Sequence, residues 1–181
     1  MLLPAIFLDR DGTLIVDRGY LRDPALVEFE TGVVAGLRQL ECLGFPLVGV
    51  SNQSGIGRGH MAVSEAEAVN RRTQALFLEA GIRFSGWYTC PHSPETACEC
   101  RKPKIGMALT AASELGLDLT RSFVIGDKRS DVEMGENFGG RGILLKTGQS
   151  LQHTTWAREN GCAVCADLKD AADCIPGNCS H

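Results

Sequence analysis

Nowhere does the chain approach the roughly 18 consecutive apolar residues that a membrane-spanning helix requires. Its apolar runs, such as Ala5-Ile6-Phe7-Leu8, have the length of a buried strand. Positive charge is also short: 18 Lys and Arg stand against 22 Asp and Glu, a net charge of -4 and a pI near 5.6. That balance excludes a broad basic face for nucleic acid but leaves local cations available to a phosphate. The opening Met1-Leu2-Leu3-Pro4 lacks the basic stretch, apolar core and small-residue cleavage site of a secretory leader. The expectation is a soluble cytoplasmic protein with no membrane partner, in which the eight cysteines are reduced thiols or metal ligands. With 181 residues, 44% of them apolar, the chain suits one domain spanning 1–181.

What is present begins with a strand that stops on two acids. Ala5-Ile6-Phe7-Leu8 breaks at Asp9-Arg10-Asp11-Gly12-Thr13, and in open parallel α/β sheets ligands bind just beyond the carboxyl ends of the strands. Two carboxylates placed there suit phosphoryl transfer, with Asp9 attacking phosphorus and Asp11 moving protons to and from oxygen. Read as a bare tripeptide, they are equally turn and cap residues. Two further apolar runs end alike. Phe45–Val50 leads into the polar turn Ser51-Asn52-Gln53-Ser54-Gly55 and a glycine loop, Ile56-Gly57-Arg58-Gly59, suited to approach an anion through its backbone. Ser122–Ile125 ends at Gly126-Asp127-Lys128-Arg129-Ser130-Asp131.

Between these strands the apolar spacing predicts helices over Gly32–Leu43, closed by Gly44, and over Gly106–Leu115, closed by Gly116. Another opens at Ser64 with Glu67 as a capping box and runs through Val69, Ala75, Leu76 and Leu78 to Gly81. Phe84–Thr89 and Gly142–Leu145 read as strands. Leu151 to Ala172 reads as two short helices flanking an edge strand at Cys162–Ala166, and Pro176 to His181 as a frayed tail. The stretch from Thr13 to Phe29 is polar and irregular, too short for a folded lid. It reads as a flap over the acids, with Arg18 and Tyr20 either touching substrate or packing the loop down.

One short loop holds the metal chemistry. Cys90-x-His92-x5-Cys98-x-Cys100 supplies three thiolates and an imidazole, enough to close a tetrahedral zinc site with no open position, hence a structural one. Cys42, Cys162, Cys165, Cys174 and Cys179 lack such clustering and read as packing. Directly after the fourth ligand, Arg101-Lys102-Pro103-Lys104 places three positive charges on a loop that zinc would stiffen.

Asp9-Arg10-Asp11-Gly12-Thr13 resembles motif I of the haloacid dehalogenase superfamily of aspartate-nucleophile phosphatases. Ser51, Lys102 and Gly126-Asp127 resemble its later motifs in the same order. The resemblance implies a Rossmann-like three-layer α/β sandwich with a mainly parallel sheet and no large cap domain. It also implies roles: Asp9 as nucleophile, Asp11 as general acid and base, and Ser51 and Lys102 as stabilisers of the phosphoryl group. Mg2+ would be held by Asp9, Asp127 and the backbone carbonyl of Asp11, with Asp131 orienting waters or the loop. Substrate contacts are expected from Asp17, Arg18, Gly19, Tyr20, Asn52, Gln53, Ser54, Arg101 and Lys128.

Within the superfamily, the zinc-clasped loop together with Arg58-Gly59, Arg101-Lys102-Pro103 and Gly126-Asp127-Lys128 resembles the heptose bisphosphate phosphatases. That resemblance implies a monomer removing the 7-phosphate of a phosphorylated sugar for lipopolysaccharide or surface glycan synthesis. The short x5 spacing in the zinc loop is closer to the related histidinol-phosphate phosphatases, which stay open as an alternative. A remoter one is a zinc-stabilised binding module without catalysis.

Overall fold

The computed structural model describes residues 2–176. The expected frayed tail, apart from Pro176, and Cys179 lie outside the described residues. Six strands form one all-parallel sheet: β1 (Ile6–Leu8), β2 (Leu47–Asn52), β3 (Phe84–Cys90), β4 (Phe123–Gly126), β5 (Arg141–Leu145) and β6 (Ala163–Cys165), in the order β3-β2-β1-β4-β5-β6. Parallel neighbours need crossovers, and helices on both faces supply them.

On one face, α1 (Val33–Cys42), α3 (Val63–Glu79) and α7 (Leu168–Asp173) bury Leu37, Leu40, Val69, Phe77 and Leu168 against Ile6, Leu8 and Ile125. On the other, α4 (Gly106–Leu115) and α5 (Arg129–Asn137) bury Met107, Ala111 and Met134 against Phe7, Val48 and Val124. β1 therefore alternates sides at every residue, as strand geometry dictates. α2 (Ser54–Gly57) is one turn after β2, and α6 (Thr154–Glu159) closes a small cluster of Val132, Leu144 and Ala157. Among the described residues no helix is long and apolar enough to cross a membrane.

Several local expectations change. β2 continues through Ser51 and Asn52, because β3 pairs with it as far as Asn52 opposite Cys90. Ser51 is thus a strand residue and not part of a turn. The first half of the glycine loop expected at 56–59 belongs to the helical turn α2, with Gly57 tight against the backbone of Ser93, and Arg58 and Gly59 form the turn that follows. α3 starts at Val63, and Glu65, not Glu67, takes the cap: its Oε2 accepts the Ala62 N–H at 2.7 Å. The buried stripe of α3 is Ala66, Val69, Asn70, Thr73 and Phe77, while Leu78 is exposed. α5 has no counterpart in the sequence reading; only Val132, Met134 and Gly135 with Asp131 are buried in it, too few for a clear apolar period.

Strand order reverses between β1 and β4, the switch point where an open α/β sheet forms its crevice. Leu8 lies in register with Ile125 on β4 and Gly49 on β2. The residues just past these three strand ends consequently meet at one place. Over them hangs the 13–29 flap, pinned by bridges from Ile15 to Asp11 and to Phe29 and containing one 3-10 turn, Pro24–Leu26, capped by Asp23.

Candidate active site and zinc-binding loop

Asp9 emerges from β1 with its N–H donated to Ile125 O at 3.0 Å, which sets its side chain beside Asp127 at the end of β4. Lys102 reaches Asp9 from the other side, its Nζ 2.6 Å from Asp9 Oδ1, 2.7 Å from Asp131 Oδ1 and 2.9 Å from Val50 O. Asp9, Lys102, Asp127 and Asp131 are all buried. Burial alone would raise the Asp9 pKa, but the ammonium groups of Lys102 and Lys128 outweigh it and hold the carboxyl below its ordinary value of 3.8. Asp9 is thus kept ionised, the form a nucleophile needs.

Lys102 arrives there because two structures fix its loop. Asn52 clasps its backbone in both directions: Nδ2 donates to Lys102 O at 3.1 Å, and Lys102 N donates to Asn52 Oδ1 at 3.0 Å. Upstream, one ligand atom from each of Cys90, His92, Cys98 and Cys100 lies within 4.8 Å of the others. Sγ of Cys90 is 3.1 Å from that of Cys100 and 3.9 Å from that of Cys98, and His92 Nδ1 is 3.2 Å from Cys100 Sγ. These separations bracket about 3.8 Å, the edge of a tetrahedron with sulfur about 2.3 Å from its centre. Burial and the neighbouring Cys100 push the Cys90 thiol up to about 12, so a proton holds that sulfur unless a cation displaces it. The donor set fits zinc.

The acidic cluster fits a hard cation. Carboxylate oxygens of Asp9, Asp127 and Asp131 lie within 4.8 Å of one another. Asp131 is engaged by Lys102 and by the Lys128 N–H at 3.0 Å. Asp127 Oδ2 accepts the Gln149 N–H at 2.7 Å, while its Oδ1 is buried with no hydrogen-bond partner among the described residues. Burial, then the Asp9 charge, pushes Asp127 up to about 7. A buried carboxylate with a spare lone pair beside a second carboxylate suits Mg2+, which takes oxygen ligands.

Asp11 faces a different set of partners. Arg10, fully buried, donates Nη2 to Asp11 Oδ1 at 3.0 Å and Nε to Oδ2 at 3.1 Å. Gln53 Nε2 donates to Asp11 Oδ2 and to Ser51 Oγ, each at 2.7 Å. Burial nevertheless raises the Asp11 pKa above 3.8 against the pull of Arg10, the direction that favours a proton donor.

Above these groups a cleft of about 380 Å³ is lined by Asp11, Asp17, Gly19, Tyr20, Asn52, Gln53, Ser54, Arg101 and Lys128, together with Ser130 and Gln149. Tyr20 rests on His60, ring centroids 4.8 Å apart. Asp17 lies 3.6 Å from Lys128 Nζ and accepts Gln149 Nε2 at 3.1 Å. Arg101 Nη1 donates to His92 O at 3.2 Å, tying the Cys90–Cys100 loop to the rim. Arg18 departs from expectation: it pairs with Glu28 at 2.5 Å on the surface and lines a neighbouring hollow instead. Arg58 likewise pairs outward with Glu95.

Sequence reasoning missed Arg10, Ser130 and the segment after β5. There Thr147 Oγ1 donates to Gly12 O at 2.5 Å and Gln149 grips Asp127. The signal existed, since 146–149 follows an apolar strand, but only the place of β5 beside β4 turns it toward the acids.

The HAD-hydrolase-like family model matches residues 99–171. Similar curated proteins include the D-glycero-beta-D-manno-heptose-1,7-bisphosphate 7-phosphatase of Helicobacter pylori strain J99, 39% identical over 94% of this chain and 96% of that one. The enzyme of the same name from Escherichia coli K12 is 38% identical over 82% of each. Among solved structures, the D,D-heptose 1,7-bisphosphate phosphatase of B. bronchiseptica, complexed with magnesium and phosphate, superposes with a TM-score of 0.84. It is 27% identical and covers 96% of this chain and 98% of its own. Similarity of this extent along both chains makes the protein a member of the D-glycero-beta-D-manno-heptose-1,7-bisphosphate 7-phosphatase family of haloacid dehalogenase-like hydrolases.

Proposed function

We propose that the protein hydrolyses the 7-phosphate of D-glycero-beta-D-manno-heptose 1,7-bisphosphate through an aspartyl-phosphate on Asp9, as a monomer in the cytoplasm. The observation that carries this reading is the buried pairing of an ionised Asp9 with Lys102 at the mouth of β1. Lys102 occupies Oδ1, so attack on phosphorus falls to Oδ2. As that bond forms, the bond from phosphorus to the sugar oxygen breaks and Asp11 delivers its proton to the departing oxygen. Asp11, now a carboxylate, takes a proton from water; the water oxygen bonds phosphorus, the link to Asp9 breaks, and inorganic phosphate leaves.

Ser51 Oγ and Lys102 Nζ offset charge on the phosphoryl oxygens while both bonds are partial. A bound Mg2+, held by Asp9, Asp127 and the Asp11 carbonyl, would add Lewis-acid neutralisation of those oxygens. Arg101 and Lys128, on the cleft wall with Asn52, Gln53 and Ser54, suit the second phosphate and the sugar hydroxyls, and zinc serves only to hold the loop that presents Arg101 and Lys102.

The test is phosphate release by the purified Mg2+-loaded protein from the beta and alpha heptose bisphosphates and from histidinol phosphate. The expected result is preference for the beta anomer with the 1-phosphate left in place, abolished in Asp9→Asn. Release from none of the three, or unimpaired turnover by Asp9→Asn, overturns the proposal.

A further inference from the structure

The buried stripe of α3 contains a side chain that packing does not account for. Asn70 sits among Ala66, Val69, Thr73 and Phe77, in a face otherwise turned to the core. An amide there is costly unless it is hydrogen-bonded. Its Oδ1 accepts Arg10 Nη1 at 2.6 Å and its Nδ2 donates to Thr89 Oγ1 near the end of β3 at 3.1 Å. A guanidinium can only donate, so the carbonyl end of the amide must face Arg10. The other Arg10 nitrogens, Nε and Nη2, both grip Asp11. A single relay thus runs Thr89, Asn70, Arg10, Asp11, partly buried at Thr89 and buried beyond it, joining α3 and β3 to the carboxyl group on which proton transfer rests.

We propose that Asn70 is a positioning residue for that proton transfer: by fixing Arg10 it sets the direction in which Asp11 presents its carboxyl oxygens to the leaving group. The inference rests on the mechanism proposed above. Arg10 is fully buried, with Nε and Nη2 on Asp11 and Nη1 held by Asn70 on the far side, so the contact at Nη1 helps to set the plane of the guanidinium. Without an acceptor there, the guanidinium turns to find one, and the fork that orients Asp11 turns with it. Gln53 alone then restrains the carboxyl, through one hydrogen bond. A purely structural role for Asn70 would lower stability and impair every substrate alike. A positioning role gives an unequal result, because an alkyl oxygen needs a proton as its bond to phosphorus breaks and a nitrophenolate does not.

The experiment compares kcat/KM, which reports the steps through loss of the leaving group, for the heptose bisphosphate and for p-nitrophenyl phosphate. Asn70→Ala is expected to lose about 10-fold or more on the sugar phosphate, the scale on which supporting hydrogen bonds act, and much less on the aryl ester. Asn70→Asp, which still accepts from Arg10, is expected to restore most of the difference. If Asn70→Ala does not fold, Thr89→Val, which removes the hydroxyl that orients the amide, is expected to show the same inequality more weakly. Equal losses on both esters, or none on either, overturn the inference. If the wild-type protein ignores the heptose bisphosphate, the substrate assignment fails by itself. The comparison then runs on the best alkyl phosphate the protein does cleave.

Discussion

Lys102 Nζ reaches Asp9 Oδ1 at 2.6 Å across 93 positions of sequence, and the same ammonium lies 2.7 Å from Asp131 Oδ1. One buried cation therefore serves two carboxylates. Lys102→Met should cost about 10²- to 10³-fold in kcat, the usual loss for a preorganised electrostatic stabiliser. It should also lower stability by about 3–5 kcal/mol, because the acids stay buried without their partner. Adding Asp131→Asn should recover part of the melting temperature and none of the activity. Steady-state kinetics and thermal unfolding of the two variants read both effects.

Zinc is expected at about one ion per chain by elemental analysis, as a closed four-ligand site implies. A strong chelator, or Cys98→Ser, should lower the melting temperature, expose the 90–104 loop to proteolysis and raise KM. The reason is that Arg101 leans on His92 O and loses that support when the loop opens. Zinc-free protein with an unchanged loop and unchanged KM would show the cluster to be idle.

Asp127 gives a pH dependence with a definite sign. Its folded pKa, about 7 with no cation bound, stands above the ordinary 3.8, so the folded state binds its proton more tightly than the unfolded chain does. The resulting stability is full below about 4 and is lost as pH rises through about 7. Mg2+ competes with that same proton. The rise in melting temperature produced by Mg2+ should accordingly be larger at pH 8 than at pH 5.5, and the Mg2+ concentration needed for half-maximal turnover should climb as pH falls below 7. A Mg2+ effect flat across this range would contradict the assignment.

Gly148→Ala tests the closure of the site from β5. Gly148 has φ +47, and a Cβ there would stand 2.3 Å from Asp127 Oδ2 and 2.8 Å from Gly12 Cα. Neither the carboxylate nor the backbone facing it has room to yield. The variant is expected to lose about 1–3 kcal/mol of stability and to need more Mg2+ for activity, measured by thermal unfolding and Mg2+ titration. Gly139→Ala shares a positive φ but meets only a Thr120 methyl group at 3.7 Å; it should leave the Mg2+ requirement unchanged.

Much of this architecture could be read from the chain because its signals are local. An apolar run that breaks on Asp9 or Asp127 marks a strand end with no knowledge of neighbours, whereas the break at Ser51 does not, because pairing with β3 carries β2 on to Asn52. Three cysteines and a histidine within a dozen residues come together in one cluster because closing so short a segment costs little entropy. The alternation of strands and helices, with Gly44 and Gly116 closing two of them, dictated a parallel α/β sheet.

What tertiary structure alone decided was adjacency. Arg10 and Asn70 are 60 positions apart; nothing in either segment announces the other, since their contact depends on the register of β1 against β2 and on which stripe of α3 turns inward. The same holds for Gln149 on Asp127, fixed by β5 pairing with β4, and for Arg18, which local reasoning aimed at the substrate and which Glu28 turns to the surface. Hydrophobic periodicity says which side of an element is buried. It carries no information about the distant polar group that will meet a buried side chain there, and on that meeting the working geometry of the site depends.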